Sequence, residues 1–160
     1  MARSFIARAA GGLACLLLLS SSFAGARGRS LDSDVLYELN LARTQPQAYA
    51  CALQAAARLS RASGAYDDPA AFREAVDFLM RQPALPPLGA DPALEGAALA
   101  HADYQGPQGG FGHEGPAGES LGQRLHRHGA FAMLMAEDIS YGYANPREVV
   151  LQLIVDAGVP

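Results

Sequence analysis

Prolines stand in this chain where α-helices would begin, and their placement limits the fold more than any other feature. Asp68-Pro69, Asp91-Pro92 and Asn145-Pro146 each set a short side-chain acceptor directly ahead of a proline. The acceptor can cap orphan backbone N–H groups, and proline's fixed φ and missing N–H cost nothing in a first helical turn. Pro46 interrupts a first apolar-periodic run and is placed to open a second helix, Gln47 to Leu59. The first run, with Val35, Leu36, Leu39 and Leu41-Ala42 at helical spacing, can be capped by Asp32 or Ser33. The third helix would carry Phe72, Val76 and Leu79-Met80 on one face. The fourth, about Ala93 to Tyr104, sets Leu94, Ala97-Ala98 and His101 on neighbouring turns, and the last runs from Asn145 to Asp156. Between them, Gln82 to Gly89 holds three prolines and reads as an extended crossing, while 60–68 and 106–118 read as loops.

One stretch departs from this rhythm. Glu119 to His128 has a short helix pattern closed by Gly129, with Glu119 in its first turn. Met133 to Tyr141 then reads as the single strand of the chain. A lone strand cannot satisfy its own backbone donors and acceptors. Its partners are expected either on another chain or, as the favoured reading, in sequence that would follow.

The N-terminus reads as an export signal rather than fold. Arg3 and Arg8 precede an apolar run from Ala9 to Leu19, and Ala24-Gly25-Ala26 supplies a small-residue cleavage pattern. The run is shorter than the ~20 residues that span a bilayer, so no transmembrane helix is expected after cleavage. Losing Arg3 and Arg8 from 12 basic residues leaves ten, all arginine, against 16 acids, a net charge of −6. Such a balance gives no case for nucleic acid as a partner. Only Cys51 of the two cysteines would remain, in an Ala-rich helix pattern where it reads as a small apolar residue. Residues 27–160 suffice for one domain with one core.

The residues that could carry chemistry cluster between 111 and 139. His113 stands beside Glu114 in a glycine-rich turn, and Glu137 is a lone acid in an otherwise apolar run. A histidine and a carboxylate brought together could bind a metal, move a proton or simply pair. Around them, His101 reads as a satisfied helix residue, and Arg124, His126, Arg127 and His128 as a solvated, positively charged helix end. Ser120, Ser140 and Cys51 are possible nucleophiles, but none lies in a nucleophile elbow or a cysteine-protease setting.

Five segments in order resemble the CAP or SCP-like extracellular domains, the family of cysteine-rich secretory proteins, antigen 5 and class 1 pathogenesis-related proteins, in a bacterial form. They are Leu39-Asn40-Leu41-Ala42-Arg43, Leu85-Pro86-Pro87-Leu88 with Asp91-Pro92-Ala93-Leu94, Gly112-His113-Glu114-Gly115, Glu137-Asp138-Ile139, and Glu148 through Pro160. The resemblance implies an α+β domain over 27–160, an α-β-α sandwich of which this mostly helical chain carries only about the first strand. It also implies a secreted or cell-envelope protein with a cleft of two histidines and two acids. His113 and Glu137 match the first histidine and first acid, Asp156 stands where the second acid is expected, and Glu114 would line the same cleft. Some relatives hold zinc or another divalent cation there, which makes His113, Glu137 and Asp156 the candidate ligands. The second histidine would fall beyond Pro160, so the resemblance implies a domain incomplete at its C-terminus. The expected activity is binding of a lipid, a small apolar ligand or an envelope or protein partner. A histidine–glutamate hydrolase is the alternative.

Overall fold

A computed structural model describes residues 30–59 and 68–156. The expected export signal at 1–26, the lead up to 29, most of the 60–68 loop and residues 157–160 lie outside them. Six α-helices follow in order: α1 Leu31–Thr44, α2 Pro46–Leu59, α3 Pro69–Arg81, α4 Pro92–Gln105, α5 Leu121–Arg127 and α6 Pro146–Val155. Two short 3₁₀ turns, Gly106–Gln108 and Pro116–Gly118, lie between α4 and α5.

The proline-led helices start where the sequence placed them. The Asp68 carboxylate accepts from the Ala70 and Ala71 N–H groups, both at 2.9 Å. Asp91 accepts from Ala93 at 2.8 Å and Leu94 at 3.1 Å, and the Asn145 side chain accepts from Arg147 and Glu148. The first helix starts earlier than expected. Ser30 is its cap, accepting from the Ser33 N–H, and Asp32 lies inside the first turn. In α5 the cap is Ser120, which forms a reciprocal capping box with Gln123. Glu119 therefore precedes the helix instead of standing in its first turn. Gly129, at φ +86°, closes α5 in the left-handed conformation that glycine adopts without strain.

One core joins α1, α2, α3 and α6 through Ala42, Tyr49, Leu53, Val76, Leu79 and Val150. Phe72 is partly buried against this core, whereas Met80, at the edge of the same face, is largely exposed. Ala97 on α4 and Leu125 on α5 are also buried. Gly96 on α4 leaves room for the His128 ring just past the end of α5. A Cβ there would stand 2.9 Å from the His128 Nδ1 atom.

The segment after α3 is held by α1. The Asn40 amide donates to the Leu88 carbonyl at 3.0 Å and accepts from the Leu88 N–H at 2.6 Å. The Arg43 Nε–H donates to the Pro86 carbonyl at 3.2 Å, and its own backbone carbonyl accepts from the Leu85 N–H at 2.8 Å. Prolines remove donors from this crossing, so the polar groups that remain are matched by side chains three residues apart on one helix face. A second tie, from Arg147 Nε–H to the Glu38 carboxylate at 2.9 Å, fastens α6 to α1.

The strand expected over 133–141 does not form. The described residues contain no strand, and 130–144 runs without helix or ladder, with a bend at Met133–Leu134. A strand exists only by pairing, and no described segment lies beside this one to pair with it. Side chains fasten it instead: the Gln152 amide oxygen on α6 accepts from the Ser140 hydroxyl and from the Tyr141 N–H.

The Asn40 clamp gives the first prediction. Asn40→Ala leaves the Leu88 N–H and C=O without their partners and should destabilise the protein by about 1–3 kcal/mol. Urea unfolding with an unchanged slope measures it; a loss below ~0.5 kcal/mol would mean that water replaces the clamp.

Candidate functional site

His113 and Glu137 lie 24 residues apart and meet. The His113 Nδ1–H donates to Glu137 Oε2 at 3.0 Å. The other carboxylate oxygen accepts from Arg124 Nη2 at 2.6 Å. Arg124 is only 1 % exposed, and it also donates from Nη1 to the His113 backbone carbonyl at 3.2 Å. One guanidinium thus holds the backbone of one partner and the side chain of the other.

This role corrects the reading of Arg124 as part of a solvated helix end. Its spacing held part of the signal, because Arg124 shares one face of α5 with Leu121 and Leu125. The lone acid in an apolar run needed a counter-charge, and Arg124 supplies it. Arg127 does reach solvent, pairing with Glu119 at 3.0 Å. His126 rests on the Phe131 ring, with centroids 4.8 Å apart.

The turn that carries His113 is pinned from α4. His101, 5 % exposed, donates from Nε2 to the Gly112 carbonyl at 3.0 Å, and the Gln105 amide donates to the same oxygen at 2.5 Å. The Gly112 N–H donates to the Tyr141 hydroxyl at 2.9 Å, and that hydroxyl donates to Gln105 Oε1 at 3.2 Å. His101 is thus a satisfied buried histidine at one ring nitrogen, as its helix position suggested. Its other ring nitrogen, Nδ1, is buried without a partner among the described residues. Phe111 leans on Tyr141, with ring centroids 4.9 Å apart.

Burial pushes the Glu137 carboxyl up. The hydrogen bonds from His113 and Arg124, with the Arg124 charge and the His101 ring behind them, outweigh burial and hold it below its ordinary value. The remaining expected site residues stand apart. Glu114 is exposed on the turn. Asp156 is exposed in a left-handed conformation at the C-cap of α6. Among the described residues no three His, Cys, Asp or Glu side chains are grouped to hold a metal ion. Ser120 is spent on its helix cap, Ser140 bonds to Gln152, and Cys51 is half-buried on α2.

Beside the pair runs a groove of about 1350 Å³. Its walls come from α1, the end of α3, α4, α6 and the segments 106–111 and 137–143, and they are mostly apolar. Leu39, Leu88, Ala102, Phe111, Ile139 and Tyr143 line it, with His101, Gln105, Glu137 and Tyr141 at one side.

A model of the cysteine-rich secretory protein (CAP) family matches residues 36–159. The chain belongs to that family. No curated protein and no solved structure gives a significant match. CAP membership fits the α-β-α sandwich expected from the resemblance, of which the described residues of this CAP chain form helices and irregular segments. It also supports an extracellular type of binding module. No described helix is long and apolar enough to cross a membrane.

A carboxyl held below its unfolded value adds stability that is present above the unfolded pKa of ~4.3 and is lost as pH falls through the folded value. Stability of this CAP chain should therefore fall below about pH 4.3, and Glu137→Gln should flatten that acid limb. Urea midpoints from pH 7 to pH 3 test it; parallel curves for the two proteins would contradict the assignment.

Proposed function

We propose that this CAP protein is a secreted or cell-envelope binding module whose groove takes a lipid or another elongated apolar ligand. The observation that carries the reading is the groove itself. Its volume exceeds the ~300–1,000 Å³ common for small-molecule sites, and its walls are mostly apolar, with one polar side at the bonded cluster of His101, Gln105 and Tyr141 and further polar side chains, Asp32, Arg43 and Gln82, elsewhere. Apolar walls supply affinity through area removed from water, and the polar groups near Gly112 and Glu137 would set orientation. The pinned turn and the Arg124–Glu137 pair keep that polar side rigid, which lowers the ordering cost of binding.

A dansylated eleven-carbon fatty acid, displaced in turn by a sterol and by a long-chain alcohol, tests the reading on the full chain. Saturable binding is expected, and Ala102→Trp, which fills the groove from an exposed position on α4, should weaken it about tenfold or more. Equal binding by Ala102→Trp would move the ligand elsewhere, and absence of binding to every probe would sink the reading.

A second reading, hydrolysis, rests on one feature. The His113 side chain is 60 % exposed while its Nδ1 is oriented by Glu137, so the far side of the ring is open to solvent as a general base requires. Among the described residues no serine or cysteine hydrogen-bonds to it, so water would be the nucleophile. His113→Ala and Glu137→Gln, each confirmed as folded by circular dichroism, should abolish any turnover of ester or peptide substrates by the purified protein. Parental rates in both would exclude this chemistry.

A further inference from the structure

We infer that Arg124 takes the place of a metal ion at the His113–Glu137 site and closes that pair to divalent cations. The resemblance put His113, Glu137 and Asp156 forward as a ligand set for zinc, and three features of the site argue against that use. First, both Glu137 oxygens are engaged, one by the guanidinium at 2.6 Å and one by the imidazole at 3.0 Å. Second, the His113 ring atom facing the carboxylate carries the proton that it donates. A cation shared by the two side chains would have to displace that proton, and the lone pair left on the ring, at Nε2, lies on the far side of the imidazole from Glu137. Third, Asp156 is exposed at the far end of α6 and joins no three-residue group with the pair.

The guanidinium is not a removable obstacle. It cannot lose its charge. At 1 % exposure, bound also to the His113 carbonyl, it cannot swing into solvent without dismantling the turn. A zinc ion at ~2.0–2.2 Å from the carboxylate oxygen that Arg124 now holds would face a like charge at close range, with no water between to screen it. The same guanidinium meets the needs that a metal would otherwise meet here: it neutralises a half-buried carboxylate and fixes the histidine turn. Arg124 is thus the residue that sets the specificity of this site.

Calorimetric titration of the full chain with zinc chloride at pH 7 tests this, comparing the parent with His113→Ala. Identical isotherms at micromolar zinc are expected, whatever weak binding occurs at other histidines. A one-to-one event present in the parent and lost in His113→Ala would overturn the inference. The companion variant Arg124→Met, checked by circular dichroism, removes the charge but keeps much of the stem. If it folds, it should gain zinc affinity of roughly tenfold or more, and the gain should vanish in Arg124→Met/His113→Ala. A folded Arg124→Met with no such gain would overturn the part assigned to Arg124. Should Arg124→Met fail to fold, the comparison of parent with His113→Ala decides alone.

Discussion

The contact between the buried Arg124 guanidinium and the half-buried Glu137 carboxylate, 2.6 Å long, is the interaction on which the site depends. Taking two ions from water costs several kcal/mol each unless each finds its partner. Arg124 finds two, the carboxylate and the His113 carbonyl, and Glu137 finds two, the guanidinium and the imidazole. The loop between α4 and α5, the helix α5 and the irregular segment after it are therefore fixed to one another by charge. Apolar contact adds to this tie, because Leu125 on α5 is buried beside Arg124. Removing either ion would leave the other without its counter-charge, which is why the pair acts as one unit.

A second network braces the same turn from α4 and from Tyr141. Gly112 is held at its carbonyl by His101 and Gln105 and at its N–H by Tyr141. The His113 turn is thus fixed at successive residues by α4 and by Arg124. That double restraint explains how 106–118, which contains no regular element beyond two short turns, can present an imidazole in one orientation. The same bonds hold the polar side of the neighbouring groove, where the described residues form no sheet.

Much of the frame was legible in the sequence because its signals are local. Asp68-Pro69, Asp91-Pro92 and Asn145-Pro146 each became a capped helix start, since capping and proline geometry are decided within four residues. The partnership of His113 with Glu137 was legible as one possibility, from a histidine turn and a lone acid in an apolar run, and the resemblance named the two residues together; no periodicity predicts a contact across 24 residues. The strand over 133–141 did not form because an apolar run describes a willingness to pair, while pairing itself needs a neighbour. Arg124 was misread for the opposite reason: an arginine near a helix C-terminus is usually a surface charge. Its burial is decided by the distant Glu137, which local reasoning weighed separately.

A double-mutant cycle on Arg124 and Glu137 tests this account most directly, with Arg124→Met, Glu137→Gln and the double variant compared by urea unfolding at pH 7. If the pair acts as one unit, the two single losses should far exceed the loss in the double variant, with a coupling of about 2 kcal/mol or more. Losses that add to within ~0.5 kcal/mol would show two independent side chains and contradict the account.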